Sequence, residues 1–385
     1  MNHGDKGVMI IKPFSKPICV TRPFLPPLGA FCDGLSEIWR NGWLTNNGPV
    51  LKRFQKELCE FFETENICLF ANGTLALQIA LKGMGISGET ITTPFTFVAT
   101  AHALTWNNIQ PVFVDIEPEY YTIDPEKVEA AITPRTTGIL AVHVHGHPCR
   151  LDALADIAKR HNLKLIYDAA HAFGIKIGSQ NIAQYGDLSM FSFHATKSFH
   201  SIEGGMLVFQ RDALKETFNF LKNFGFKNEV EVVFTGTNAK MNEIQALMGI
   251  QVLSYFGEIK EKQKRISELY RSRLKEVPGI HLVPPLSPEV DFNYGYMPIE
   301  VEEGEFGMSR DGLYEKLKQW NVFARRYFYP LVCDYSCYRD LPLKDPLTVA
   351  RGVADRILTF PVYDSLELSD VETICDMLWV LHSTR

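Results

Sequence analysis

Short apolar runs alternate with helix-spaced segments between residues 66 and 209, and no other feature of the chain limits its fold as much. The runs fall at 66–70, 89–93, 111–115, 138–144, 163–167, 187–192 and 205–209. Between the first five lie segments with helical spacing at 75–82, 98–106, 125–131 and 151–161. Runs of this kind suit strands buried on both faces, which requires a mainly parallel sheet with helices on either side. In such sheets ligands gather beyond the C-terminal ends of the strands. The loops 72–74, 94–97, 145–148 and 168–171 are therefore expected around one site.

Outside this core, helical spacing recurs at 31–40 and 50–62, separated by a loop that carries Gly42, Thr45, Asn46, Asn47, Gly48 and Pro49. Residues 1–25 are rich in Pro and Lys and read as irregular. A polar loop at 234–242 precedes a helix at 243–255. The charged, helix-spaced segment 256–276 reads as a connector to a mixed strand and helix region that includes a helix at 310–320. At 385 residues and 46% hydrophobic content the chain can bury a large core split into two domains. The expected division is 1–255 for an N-terminal segment plus the large domain, and 256–385 for the connector and a smaller C-terminal domain.

The net charge of -6 supplies no general attraction to nucleic acid or to an anionic membrane. Neither is expected as a partner. The N-terminal apolar stretch is broken by Lys12 and Pro13, which is not a signal peptide, and no run reaches the ~20 apolar residues of a membrane span. Eight cysteines are scattered without framework spacing, so reduced thiols in a cytoplasmic protein are expected, and no metal site. No Gly-Lys-Ser/Thr follows the first strand at Walker spacing, and no G-x-G-x-x-G marks a dinucleotide site.

The chemistry concentrates between Asp168 and Gly205, from DAAHAFG through SFHATKSFHSIEGG. Lys197 is bracketed by the apolar runs MFSF and GGMLVF. A desolvated lysine loses its proton more easily, which suits Schiff-base chemistry. Asp168 ends an apolar strand, and a buried carboxylate needs a positive partner such as a protonated pyridine nitrogen. Each residue also has an ordinary structural account, as a helix cap for Asp168 and a salt bridge for Lys197. His171, in the same turn as Asp168, is placed to stack on or bond a cofactor ring. The Asn72-Gly73-Thr74 turn opening a helix, with Ser192, is suited to a phosphate. Phe97 is either a cover for the ring or a core phenylalanine.

Together the stretches WLTNNGPVLKRFQKEL, ANGTLALQIAL, TTPFTFVATAHAL, PVFVDI, HVHGHPC, DAAHAFG, SFHATKSFHSIEGG, GTNAKMNEIQALMGI and YFYPL resemble the nucleotide-sugar aminotransferases of the DegT/DnrJ/StrS group, nearly end to end. The resemblance implies an α/β fold of the fold-type I class of pyridoxal 5'-phosphate (PLP) enzymes. That fold has a large, mainly parallel seven-stranded sheet domain and a smaller C-terminal α+β domain. It implies that Lys197 forms the Schiff base with PLP and shuttles the proton, and that Asp168 pairs with the pyridine nitrogen. His171 stands where many relatives carry Gln. Gly73, Thr74 and Ser192 are implied at the phosphate, Phe97 against the cofactor, and Asn238 at the phosphate of the neighbouring subunit, which makes the active unit a homodimer with shared sites. Thr45, Asn46, Lys240 and Tyr329 are implied at the substrate, although Lys240 stands where many relatives have Arg.

The implied reaction is a ping-pong transamination. L-Glutamate converts PLP to pyridoxamine 5'-phosphate (PMP), which aminates a nucleotide-linked 4-keto-6-deoxy sugar at C4 to give dTDP-4-amino-4,6-dideoxyglucose. Three alternatives stay open: amination at C3, a sugar dehydratase (whose branch typically replaces the lysine by His), and a PLP-binding regulator without turnover.

Overall fold

The computed structural model describes residues 11–383. Its largest sheet has seven strands: β1 (Ile67–Phe70), β2 (Glu89–Thr92), β3 (Gln110–Phe113), β4 (Thr136–Val142), β5 (Lys164–Asp168), β6 (Leu188–Ser192) and β7 (Gly205–Phe209). Their spatial order is β1-β7-β6-β5-β4-β2-β3. Every pairing is parallel except the two made by β7, which runs antiparallel to both β1 and β6. The apolar runs therefore mark the strands, with ends displaced by one or two residues. Even the polar strand β2, Glu-Thr-Ile-Thr, is wholly buried. It is tolerated because the Glu89 carboxylate accepts from Thr133 Oγ1 at 2.6 Å and pairs with Arg135.

Helices cover both faces. Here α1 is Leu28–Asn41, α2 Pro49–Phe62, α3 Gly73–Gly83, α4 Ala99–Trp106, α5 Pro125–Ala130, α6 Leu151–Arg160, α7 Ala213–Leu221 and α8 Glu243–Leu274. On one side α2 and the first half of α8 bury a phenylalanine-rich layer that includes Phe54, Phe62, Phe173, Phe191, Phe193 and Phe199. On the other, α3, α4 and α7 pack Leu77, Leu81, Leu104 and Phe218 against Phe70, Leu207 and Phe209. Among the described residues no helix is long and apolar enough to cross a membrane.

Two local readings need correction. Residues 243–276 are not a helix and a separate connector, because α8 runs unbroken for 32 residues from a capping box made by Asn242 and Gln245. Its buried face changes core on the way, with Phe256 and Ile259 in the phenylalanine layer and Ile266, Tyr270 and Leu274 in the C-terminal core. Nor are residues 11–25 wholly irregular, since Ile18–Cys19 pairs in parallel with Val322–Phe323; residues 1–10 lie outside the described residues. The C-terminal core also holds an antiparallel sheet of β8 (Ile280–Leu282), β9 (Met297–Val301) and β10 (Ile357–Phe360), packed with α9 (Arg310–Gln319) and α11 (Leu368–Ser383). One carboxylate ties the two parts together: Asp115, just past β3, accepts from the N–H groups of Val349 (2.9 Å) and Ala350 (2.8 Å) in the first turn of α10 (Thr348–Arg356).

A second buried carboxylate acts in the same way within the large domain. Glu243, only 1% exposed, accepts from Val50 N at 2.8 Å and Leu51 N at 2.9 Å, so α8 caps α2. Glu243→Ala leaves both N–H groups buried and unpaired. It is expected to cost about 3 kcal/mol in urea unfolding, whereas Glu243→Gln, which keeps one acceptor, costs less. Equal stability of wild type and Glu243→Ala would show that this cap does not hold α2.

Candidate active site

The sheet delivers its loops to one place because β1, β2, β4, β5 and β6 all end against a cavity of about 320 Å³. Residues 72–74, Thr96, Phe97, Asp168, His171, Ser192 and Lys197 line it, and the C-terminal region closes it with Tyr296, Arg325, Tyr327 and Phe328.

At one end β1 turns into α3. Asn72 caps the helix, its Oδ1 accepting from Leu75 N at 2.8 Å. Among the described residues the N–H groups of Gly73 and Thr74 have no protein partner, and they stand at the positive end of the α3 dipole. The turn is crowded. A Cβ on Gly205 would sit 2.6 Å from the Asn72 carbonyl, and one on Gly73 would sit 3.0 Å from Ser192 Cβ. Two glycines thus let β7 and Ser192 close around a small anion site, which fits a phosphate ester.

At the other end Asp168 terminates β5, 6% exposed. Its Oδ2 accepts from Thr100 Oγ1 at 2.8 Å and its Oδ1 from Ala170 N at 3.1 Å. Burial pushes its pKa up in spite of both bonds and of the Lys197 charge. A carboxylate held in this way is relieved by a cation in the cavity, and a protonated ring nitrogen has the right charge and size. The residues present therefore fit PLP at both of its charged ends.

Lys197 lies between them, half-buried, in the irregular segment after β6. Its Nζ donates to the Tyr296 hydroxyl at 3.2 Å. Burial brings its pKa down to about 8, against the opposing pull of Tyr327 and Asp168. Such an amine is substantially neutral at mildly alkaline pH, as a nucleophile must be. His171 is buried; its Nδ1 accepts from His145 N at 3.1 Å and its ring lies 4.5 Å from that of Tyr296. Burial first, and then the Lys197 charge, hold His171 neutral.

The other expected residues divide. Phe97 is no core residue: it is 59% exposed at the wall of the cavity. Thr45 and Asn46 are exposed in the loop before α2 and do not line the cavity. Asn238 is also exposed, its Oδ1 accepting from Lys240 Nζ at 2.7 Å, while Lys240 lies over the Phe224 ring; neither lines the cavity of its own chain. Tyr329 stays outside the wall, stacked beneath Arg310 and Arg326, while its neighbours Tyr327 and Phe328 line it. Sequence reasoning did not single out Tyr296 or Thr100. Tyr296 sits in a region without a motif, and Thr100 reads as one more residue of α4.

Residues 30–379 match the model of the DegT/DnrJ/EryC1/StrS aminotransferase family. The chain belongs to that family. It is 45% identical over 359 residues to a dTDP-4-amino-4,6-dideoxy-D-glucose transaminase of Shigella dysenteriae, covering 93% of this chain and 97% of the relative. A transaminase of the same name from Escherichia coli is 43% identical over 368 residues, covering 94% and 98%. Among solved structures, DesI in the presence of its TDP-sugar product superposes with a TM-score of 0.92 at 34% identity, covering 97% of this chain and 95% of that one. The fold is that of the fold-type I aminotransferases, and the cofactor of the family is PLP.

The lowered Lys197 pKa has a direct readout. Stripped of cofactor and mixed with PLP, the protein is expected to develop Schiff-base absorbance at a rate that rises with pH around a midpoint near 8, rather than near the ~10.4 of a solvated lysine. Lys197→Ala is expected to develop no such band. A midpoint above 10 would mean that burial does not tune this amine.

Proposed function

We propose that the protein moves an amino group from L-glutamate to C4 of dTDP-4-keto-6-deoxyglucose, giving dTDP-4-amino-4,6-dideoxyglucose. The observation that carries this reading is a lysine tuned to about 8 and a buried carboxylate on one cavity. The chain that holds them is 45% identical to a transaminase of that name over nearly its full length.

Gly73, Thr74 and Ser192 would hold the phosphate end of the cofactor by N–H and hydroxyl donation, and Asp168 would hold the ring nitrogen protonated. When bound, PLP supplies an aldehyde carbon that takes the amino group and a ring that accepts the electron pair left when a proton is removed. The Lys197 amine would be the base that takes the proton from one face and returns it one carbon away. The Tyr296 hydroxyl orients the Lys197 amine between these transfers. Phe97, Tyr327 and Phe328 limit water around it. Lys197 itself stands against the dehydratase reading, since that branch typically carries His at this position.

The active unit in this reading is a homodimer. Asn238 follows a loop with Phe224, Phe226, Val230, Val232, Val233 and Phe234 all exposed, and Thr45 and Asn46 follow exposed Trp43 and Leu44. An apolar surface of this extent calls for a partner. A second copy would bring Asn238 and Lys240 to the neighbouring cavity.

Product NMR after incubation with dTDP-4-keto-6-deoxyglucose and L-glutamate tests the reaction. The expected result is a new amine at C4, preceded by bleaching of the Schiff-base band on addition of glutamate alone. An amine at C3 would overturn the regiochemistry, and an unbleached band would overturn glutamate as donor. The shared site is tested by mixing subunits. Lys197→Ala and Asn238→Asp proteins, each impaired alone, are expected to regain up to about a quarter of wild-type activity once exchanged. Half of the dimers are then hybrids with one intact site. No recovery in a mixture shown to contain hybrids would place Asn238 in its own subunit's site or in none.

A further inference from the structure

His145 stands three residues past the end of β4, in the short helical turn Val144–Gly146. It is fully buried and has φ 54° and ψ 14°, the left-handed region, which any residue but Gly enters at a cost and which β-branched residues resist most. Gly146 follows with φ 89°, and a Cβ there would meet the His171 carbonyl oxygen at 3.0 Å and Asn293 Oδ1 at 3.2 Å. Asn293 in turn donates from Nδ2 to the carbonyls of His171 (2.8 Å) and Phe173 (3.1 Å). The turn and Asn293 therefore grip the main chain of His171, and the conformation of His145 aims its own N–H at Nδ1 of the His171 ring, 3.1 Å away.

We propose that His145 is a positioning residue: its left-handed main chain presents an N–H that fixes His171 in the tautomer with the proton on Nε2, turned to the cofactor cavity. A main-chain N–H can only donate, so the Nδ1 that receives it carries no proton, and a neutral imidazole then carries its one proton on Nε2. Lys197 and His145 are the titratable groups whose charges bear on His171, and with burial both oppose an imidazolium. Nε2 has no protein partner among the described residues and is not one of the sealed, unpaired atoms, so it is open to the cavity that His171 lines. The result is a directed donor for an acceptor atom of the bound cofactor.

The ring of His145 has a separate role. Its two nitrogens make no well-formed hydrogen bond, with the Tyr327 main chain as the polar neighbour, and the ring packs parallel to Phe328 at 5.9 Å and to His171 at 6.4 Å. The electrostatic function thus belongs to the main chain and the packing to the side chain. The same geometry sets what position 171 can be. It needs an acceptor at its inner end and a donor at its outer end, which His and Gln supply and Glu does not.

The use of this donor toward the cofactor rests on the functional reading above, but the tautomer does not. Imidazole-15N-labelled holoenzyme, with the His171 signals identified by their loss in His171→Gln, is expected to show a bare Nδ1 and a protonated Nε2 at neutral pH. His145→Gly, which adopts the left-handed turn freely, is expected to keep that pattern. His145→Val, which resists the turn, is expected to lose it in favour of a mixture. An imidazolium or an Nδ1-protonated ring in the wild type overturns the proposal. So does a His145→Gly protein that loses the tautomer, since the effect would then lie in the ring; these two measurements decide even if His145→Val does not fold. PLP affinity gives a second readout: His171→Glu should bind PLP roughly tenfold more weakly than His171→Gln, and equal affinities would show that no outward donor is used. A protein with the expected tautomer that takes up no PLP would sink the functional reading and leave this one standing.

Discussion

The structure depends on a carboxylate kept out of water. Asp168 sits at the C-terminal end of β5, near the middle of the seven-stranded sheet. Its two protein hydrogen bonds do not offset its burial, and its pKa rises. A site with this imbalance is incomplete in charge, and it selects a ligand that is cationic at one end. The α3 N-terminus across the cavity selects the opposite charge. Between the two stands an amine that burial has made a nucleophile. A parallel sheet can bring three such environments together because its strand ends, unlike those of a meander, all open on one side.

Much of this was legible in the chain. The strands could be read because burial on both faces demands continuous apolar runs, and Asp168 and Lys197 stood out as charges next to such runs. The long helix was misread for an equally physical reason. Its buried face keeps one helical spacing through Val252, Phe256, Ile259, Gln263, Ile266, Tyr270 and Leu274, but the polar Gln263 interrupts the apolar stripe and the sequence turns strongly charged from residue 256, and such a change of composition looks like a boundary. The pairing of Ile18–Cys19 with Val322–Phe323 leaves no local trace, because two-residue strands joined across the chain have no periodicity to detect.

In the site, charge was legible and its adjustment was not. Lys197 and Asp168 announce themselves by type, while Thr100 and Tyr296 act through one hydroxyl each, at positions where these residues are ordinary. The N–H of His145 was beyond reach in principle. Every residue except proline has one, and only the left-handed turn makes this one a donor to His171.

Asn238, Lys240, Thr45 and Asn46, which do not line the cavity of their own chain, are still fixed relative to it through the start of α8. Gln245 Nε2 donates to the Ala71 carbonyl at 3.1 Å, and Ala71 N donates to the Ala239 carbonyl at 2.8 Å, so the loop bearing Asn238 is tied to the phosphate turn. Glu243 N donates to the Leu44 carbonyl at 3.0 Å, and its carboxylate caps α2, so the loop bearing Thr45 and Asn46 is tied to the same helix end. One helix N-terminus therefore locks three loops into a single rigid unit. The same unit shapes the anion site within its own subunit and carries the residues that, in the dimer proposed above, enter the partner's cavity. In that dimer the residues offered to the partner's cavity would be held fixed to the anion site of their own subunit by these hydrogen bonds, while the apolar contact between the subunits would set how the two sites are related.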